Sequence, residues 1–267
     1  MRLAWITDIH LECANQNRID DLCDRVLKTN PDIVGITGDI SIGPLVEVYL
    51  KILYEQIGKP IYFVLGNHDF WGSSFAQKTK DMKQLCQTNP HLVWLTKPKL
   101  VVKLTDTTYM VGHDGWYDGR YGDWWRSNVR MNDDFEISEL KRLPRQLHLE
   151  TLHHKGDAAA KDMASKMKEA VRLGAKKILV LTHIPPYEQL CWFAGVQSDA
   201  NWTPHFACKA MGREIDEFVR QHPDVYVHIL CGHSHGGRRH RFGPTLEGWC
   251  GNAYYSRPDL QETLTIE

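Results

Sequence analysis

No stretch of this chain approaches the roughly 18 consecutive apolar residues of a membrane helix, which argues against a helical span. No apolar leader opens it either. Met1-Arg2-Leu3-Ala4-Trp5-Ile6-Thr7 reads as a strand, and a polar cluster begins at once with Asp8. A cleavable leader needs a longer apolar run and would carry that cluster away, so the chain is expected to be cytoplasmic. The seven cysteines are scattered, odd in number and without a Cys-x-x-Cys pair. A disulfide framework and a thiolate zinc site are therefore disfavoured, and the cysteines read as reduced, mostly buried small hydrophobes. Charge of one sign is lacking too. A net charge of −1 speaks against a bulk nucleic-acid binder, which carries a basic surplus. There is no repeat, low-complexity tract or linker, so residues 1–267 read as a single domain. Nothing points to a membrane or to an obligate protein partner.

What is present is an ordinary globular composition, 42% hydrophobic and 24% charged, arranged as alternating strands and helices. Leu3 to Thr7, Asp32 to Thr37 and Ile61 to Leu65 read as strands. Between them, Ile19 to Thr29 carries Ile19, Leu22, Cys23, Val26 and Leu27 at amphipathic spacing, and Leu45 to Ile57 reads as a helix stopped by Gly58. That order predicts parallel βαβ units, a sheet covered by helices, and an α/β fold. Further on, Phe75 to Cys86 and Leu152 to Leu173 read as helices. Val101 to Leu104 and Thr108 to Val111 read as hairpin strands, and Lys177 to Leu181 as a buried strand. Residues 185–206 read as a Pro-containing loop, Met211 to Gln221 as a helix, Val225 to Cys231 as a strand, and Thr245 to Trp249 and Thr263 to Ile266 as short β segments. The stretch 113–155 is expected to be an insertion bordering a site.

The polar clusters all fall just after a predicted strand, where open α/β sheets bind their ligands. Asp8-Ile9-His10 follows the first strand, Gly38-Asp39 the second and Gly66-Asn67-His68-Asp69 the third. His183 closes the Lys-Ile-Leu-Val-Leu-Thr run, and Gly232-His233-Ser234-His235 follows Val225 to Cys231. Alone, each is weak: Gly-Asp is usually a turn, and a single histidine is usually a hydrogen-bonded core residue. Five strand ends delivering acids, imidazoles and an amide to one sheet edge are a different matter. In extended chain, residues two apart point the same way, so Asp8 and His10 can share one cation, and His233 and His235 can reach one site or straddle two. Imidazoles mixed with carboxylates suit transition metals, with Mn favoured and Fe or Zn also fitting. One bridging carboxylate can hold two such ions about 3.5–4 Å apart and make a nucleophile of the water between them. The glycines before Asp39, Asn67 and His233 are expected to let the backbone turn sharply.

This ordered set is similar to that of the calcineurin-like metallophosphoesterase superfamily, over about residues 1–70 and 177–240 with no member missing. The resemblance implies a four-layer αββα sandwich with two central mixed sheets and the metal site at the strand C-terminal ends. It implies Asp8, His10 and His235 on one metal, Asn67, His183 and His233 on the other, and Asp39 bridging both. It implies a hydrolase of phosphoester bonds, monoester or diester, using a metal-bridging hydroxide. His68 would be the non-ligand catalytic histidine, stabilising charge on the phosphate or protonating the leaving oxygen. Asn67 would also touch the phosphate, and Asp69 would orient the loop or His68. The pattern departs from the protein Ser/Thr phosphatases of that superfamily. Gly38-Asp39 continues as Ile40-Ser41-Ile42-Gly43, without their Asp-Arg pair, so that branch is disfavoured. Thr182-His183-Ile184-Pro185-Pro186 looks more like the bacterial-type phosphodiesterases and small phosphatases. The competing reading is an inactive metal-binding scaffold for a protein partner. Such relatives usually lose ligands or the catalytic histidine, and here all are intact.

Substrate choice is less legible. The segment from His113 to Arg126 gathers five aromatics and two arginines. Trp116, Tyr117, Arg120 and Arg126 could form a wall where rings stack a base and arginine grips phosphate. They could equally be a satellite core with Arg–aromatic packing. Tyr187, Trp192 and Trp202 carry the same ambiguity. On the first reading a nucleotide or nucleic-acid substrate is favoured. Gly236-Gly237-Arg238-Arg239-His240-Arg241 reads as a solvated hairpin before it reads as a phosphate grip, and His153-His154 as a helix surface pair.

Overall fold

A computed structural model describes residues 1–267. Strands β1 (Arg2–Ile6), β2 (Ile33–Thr37), β3 (Ile61–Val64) and β4 (Leu92–Trp94) run parallel, and β13 (Leu260–Thr265) closes that sheet antiparallel to β1. A second sheet has the order β11-β12-β10-β7-β6-β5, from Gly236–Gly243, Leu246–Asn252, Tyr226–Cys231, Lys177–Thr182, Thr108–His113 and Val102–Lys103. Its four inner strands are parallel and its two edges antiparallel.

Period-two alternation decides the layering. Leu3, Trp5, Leu179, Leu181 and Leu230 meet between the sheets. Ala4, Ile6, Ile178, Val180, Val227 and Ile229 face the helices. Helix α1 (Gln16–Lys28) buries Ile19, Leu22, Cys23 and Val26, and is capped by Asn15 accepting from Arg18 N at 3.1 Å. With α2 (Val46–Ile57) and α3 (Phe75–Thr88) it covers the first sheet, while α5 (Arg145–Arg172) and α6 (Lys209–Gln221) cover the second. Each fully buried aliphatic side chain contributes about 1.5–3 kcal/mol, so this double alternation is what holds four αββα layers together.

Two places differ from the sequence reading. Strand β4 lies in a stretch too short for a period, so pairing with β3 decides it. Helix α5 starts just after Pro144, well before Leu152, because proline's fixed φ suits a helix start and Leu149 and Leu152 already reach the core. The segment 113–155, expected as an insertion bordering the site, is anchored in regular structure at both ends. It begins in β6, passes a single turn, α4 (Asp133–Glu136), and ends inside α5. The arginine run forms the outer strand of a hairpin with β12. There Arg239 pairs with Glu262 at 2.6 Å and lies over the Trp249 ring, and Arg241 donates to Gly243 and Pro244 carbonyls.

No helix is long and apolar enough to cross a membrane. Five of the seven cysteines are buried.

Candidate metal centre

Because β1, β2 and β3 are parallel, their carboxyl ends share one edge, and β7 and β10 end beside them. Loop backbone ties the ends together: Asp8 N donates to Gly38 O (3.0 Å), His10 N to Asp39 O (3.1 Å), and Gly232 N to His183 O (2.9 Å). His183 Nδ1 crosses between the sheets to Thr37 O at 2.8 Å. All seven expected donors meet in this seam.

The backbone here is strained. Asp8, His10, Asp39, His233 and His235 all have positive φ, between 40° and 71°. For residues with a Cβ this conformation costs about 1–2 kcal/mol each. Among the three glycines expected to turn the chain, only Gly38 does so by its conformation, at φ +88°. Gly66 and Gly232 serve another purpose. A Cβ on Gly66 would lie 2.1 Å from Asp39 Oδ1, and one on Gly232 2.1 Å from Asp8 Oδ2. They are glycine because a carboxylate lies against the main chain.

Two donor clusters share one residue. Asp8, His10, Asp39 and His235 form the first, and Asp39, His183 and His233 the second, with ligand atoms of each cluster within 4.8 Å of one another. In the first, His10 Nε2 stands 3.3 Å from His235 Nε2 and 3.8 Å from Asp39 Oδ2, and His235 Nε2 is 3.3 Å from Asp8 Oδ1. In the second, His183 Nε2 is 3.1 Å and His233 Nδ1 2.9 Å from Asn67 Oδ1. The other ring nitrogen of each histidine faces a carbonyl, His183 Nδ1 that of Thr37 and His233 Nε2 that of His205 at 2.9 Å, so each must carry the proton there. Burial lowers the pKa of both rings, to about 3 for His183 and about 4 for His233, so both are neutral. The Asn67 amide is equally fixed, since its Nδ2 donates to the Asp133 carboxylate at 2.9 Å. Three lone pairs therefore converge with no proton to share. A cation satisfies all three at once.

The carboxylates agree. Burial, then the charges of Asp8 and Asp69, push the Asp39 carboxyl well above its usual range. Burial acts the same way on Asp8, but the hydrogen bond and charge of His235 overcome it and hold that carboxyl below. A cation between them relieves both the desolvation and the like-charge repulsion. The donor set fits two transition-metal ions.

His68 is 8% exposed, with its ring stacked on Trp71 (3.5 Å, 25°), its Nε2 3.9 Å from Asp39 Oδ2 and its backbone N–H donating to Asp39 Oδ1 at 2.9 Å. Asp69 is fully buried and accepts from Ile40 N, Ser41 N and Gly66 N at 2.9, 3.0 and 2.7 Å. It clamps the Asp39 loop to the Asn67 loop. No bond joins it to His68, which narrows the two roles expected for it to the first.

A scan of family models matches the calcineurin-like phosphoesterases over residues 1–237. The chain belongs to that family. Among solved structures it is similar to a phosphopantetheinyl hydrolase from Mycobacterium tuberculosis, at 16% identity, TM-score 0.66, over 96% of this chain and 90% of that one. A dimetal phosphatase from Danio rerio follows at 12% identity, TM-score 0.61, over 98% and 91%. A 5'-nucleotidase from Candida albicans shares 14% identity at TM-score 0.50, over 95% of this chain and 46% of the other. No curated protein matches the sequence. At these identities the structures bear on the fold, which is the sandwich of this dimetal phosphoesterase family.

The structure divides the residues of the substrate wall expected in 113–126 between core and surface. Trp116 and Tyr117 are 3% and 0% exposed, and Trp116 packs edge-on to Phe70 and Phe75. Tyr117 donates its hydroxyl to Asp133 at 2.9 Å and lies parallel to the His233 ring. Arg120 is held by Asp118 and Asp157, both at 2.8 Å. Arg126 is almost fully exposed, beside Asp123. Tyr187 is buried on Phe242 and donates to Asp216 at 2.8 Å. Trp116, Tyr117 and Trp124 are thus spent on packing, the other reading left open by the sequence, while Trp125 stays 57% exposed.

Sequence reasoning missed Asp133, Glu12 and Tyr255. Asp133 is fully buried and accepts from Asn67 Nδ2 (2.9 Å), Trp71 Nε1 (2.6 Å) and Tyr117 (2.9 Å). It sits in a turn with no motif, and only the fold brings it to Asn67. Glu12 Oε1 stands 3.7 Å from His10 Nδ1, a placement the Asp-x-His-x-Glu alternation could have suggested. Tyr255, half exposed, places its ring 4.5 Å from that of His10 and 6.1 Å from that of His68. Asp133→Ala is expected to weaken one of two bound metal ions about 10–100-fold by freeing the Asn67 amide. Asp133→Asn keeps an acceptor for Asn67 and Trp71 and should bind both ions nearly as the parent does. Metal titration by calorimetry checks this, and equal affinities in all three proteins would remove Asp133 from the site.

Proposed function

We propose that this protein hydrolyses phosphoesters with two metal ions, Mn²⁺ by preference. Asp8, His10 and His235 hold one ion, Asn67, His183 and His233 the other, and Asp39 both. The observation that carries this reading is the trio of unprotonated donors around Asn67 Oδ1, at 2.9 and 3.1 Å. When bound, the metals would supply Lewis-acid polarisation of the phosphoryl group and a water nucleophile at neutral pH.

The chain's own residues supply the rest. Asp133 fixes Asn67 so that its carbonyl faces the centre. Thr37 and His205 carbonyls fix the tautomers of His183 and His233. His68, held on Trp71 and kept neutral by burial and the neighbouring imidazoles, donates a hydrogen bond to charge developing on the phosphate or leaving oxygen. Tyr255 flanks the opening above His10 and His68.

With Trp116 and Tyr117 buried, the exposed Trp125 and Arg126 are the part of 113–126 that supports a nucleotide or nucleic-acid substrate. The buried thiols fit a reducing compartment, and we place the protein in the cytoplasm on that ground. Full-length protein with Mn²⁺ is expected to hydrolyse p-nitrophenyl phosphate or bis-p-nitrophenyl phosphate, with turnover lost to a chelator and restored by Mn²⁺. Metal-replete protein inert on both and on a nucleotide panel would defeat the reading.

A further inference from the structure

Residues of α3, α5 and the ends of β4 and β6 line a cavity of about 320 Å³. Helix α3 supplies Phe75, Thr79 and Lys83, spaced by four and so on one face of the helix. Helix α5 supplies His154, Lys155 and Ala158, and Phe70, Trp94 and Trp116 add rings. Lys83, His154 and Ala158 are exposed, so the cavity opens to solvent. None of the seven metal donors lines it. Phe70 ends the turn that carries His68, and Trp116 precedes Tyr117, so the cavity borders residues that support the metal centre without being part of it.

The lining holds hydrogen-bond donors that the protein leaves without acceptors. Lys155 Nζ lies over the Phe75 ring, 3.1 Å from its centroid. A ring face attracts an ammonium but offers no lone pair to its three N–H groups. Glu139 and Asp114 act on Lys155 by charge alone, and both carboxylates are engaged elsewhere. Glu139 accepts from Phe75 N and Ala76 N at 3.1 and 3.4 Å. Asp114 Oδ1 accepts from Leu65 N, Trp94 Nε1 and Thr96 Oγ1 at 2.7, 2.9 and 2.6 Å. Burial outweighs those charges and lowers the Lys155 pKa to about 8, a shift that an anion beside it would oppose. The Trp116 indole N–H is buried without a partner. His113 Nδ1 accepts from Gly115 N at 2.9 Å, so the proton of this ring sits on Nε2, a further donor in the lining.

We infer that this cavity binds a small aromatic carboxylate, its anionic end on Lys155 and its ring among Phe70, Trp94 and Trp116. The inference stands apart from the phosphoesterase reading. Charge selects the anion: Lys83 and Lys155 share the lining with one carboxylate, Asp114, which already has its own donors. Size and ring content select the body. The volume lies at the low end of small-molecule sites (about 300–1,000 Å³) and suits one ring system, and the lining rings offer faces and edges to it. The walls stand in place without an occupant, since Phe70 and Phe75 both meet Trp116 edge-on, at 5.8 and 4.9 Å, and Trp94 is tied to Asp114. The other exposed apolar feature, the hairpin of β8 (Trp192–Phe193) and β9 (Val196–Gln197), has rings nearby but no lysine or arginine in its groove.

The test titrates the Mn²⁺-loaded full chain by calorimetry with three probes: benzoate, benzamide as its uncharged counterpart, and acetate as the anion without a ring. Benzoate is expected to bind about tenfold or more tightly than either, the size of one charge-assisted hydrogen bond or one set of ring contacts. Lys155→Met keeps the stem on Phe75 and removes the charge, and should lose the preference over benzamide. Lys155→Arg should retain it, which separates loss of charge from loss of fold. Ala158→Phe, at an exposed position of α5, fills the cavity and should abolish benzoate binding with the charge intact. The metal centre is the competing place for a carboxylate, and benzoate held there would be indifferent to both Lys155→Met and Ala158→Phe. Benzoate that does not bind the parent, that binds no better than benzamide and acetate, or that binds both variants as it binds the parent would overturn the site and leave the phosphoesterase reading standing.

Discussion

His68→Ala is expected to lower kcat on any phosphoester substrate by about 10²–10⁴-fold while the protein keeps both metals and its fold. The expectation follows from where the ring stands. Its Nε2 is 3.9 Å from Asp39 Oδ2, beside the donor clusters, yet His68 belongs to neither of the two that share Asp39. What it gives the Asp39 loop is its backbone N–H, at 2.9 Å to Asp39 Oδ1, and alanine gives the same. The lost side chain removes stacking on Trp71 and some packing, a modest loss for a ring at one edge of the core. Metal content by plasma mass spectrometry and thermal unfolding should therefore match the parent, while turnover collapses. Loss of metal together with turnover would recast His68 as a ligand, with His10 and Glu12 as its partners. Undiminished turnover would sink its catalytic role. An inert parent carrying two metals would instead revive the scaffold reading.

What the sequence could convey was whatever repeats at short range. The period-two strands and the α1 stripe of Ile19, Leu22, Cys23 and Val26 are local patterns, and they place five strand ends in order, so the convergence of these seven side chains was legible in the sequence. Helix α5 begins earlier than its pattern suggests because Leu147 is exposed and only Leu149 and Leu152 turn to the core there, and β4 is hidden because three residues have no period. Trp116 and Tyr117 were less legible. Aromatic density reports apolar area, and says nothing about which side of it faces water. Tyr117 is buried because Asp133 and His233 are its neighbours, and no local pattern links it to either. Asp133 and Tyr255 were invisible for the same reason: each acquires its meaning from a contact across the fold. Gly66 and Gly232 stand between these cases. The glycines were noticed, but the cause is a carboxylate 2.1 Å from where a Cβ would be, a distance only tertiary structure contains.

Asp39→Asn should invert the order of stability between the metal-free and metal-bound states. In metal-free protein Asp39 is buried beside Asp8 and Asp69, and its carboxyl is pushed up by burial and by those charges. Asparagine has the same shape, keeps an acceptor for His68 N, and removes one of the clustered charges. Relief of an uncompensated buried charge is worth about 1–4 kcal/mol, and each kcal/mol moves Tm by about 2–4 °C in a domain of this size. The chelated variant should thus melt several degrees above the chelated parent. The pH dependence has a fixed sign. A carboxyl whose folded pKa is raised contributes most below its unfolded pKa, and that contribution is lost as pH rises through the folded value. The gap between variant and parent should therefore widen as pH climbs above the ordinary carboxylate range. Adding Mn²⁺ reverses the ranking. The parent gains about 2.7 kcal/mol for each site filled at a hundredfold excess over Kd, and the cations also reward the five strained donors whose φ is positive. The variant, without its shared carboxylate, gains little and loses turnover. Differential scanning fluorimetry with chelator and with Mn²⁺, from pH 5 to about 8, reads both halves. A chelated variant that melts below the chelated parent at every pH would show that Asp39 is already compensated by protein groups, and would remove the electrostatic case for a cation at that position.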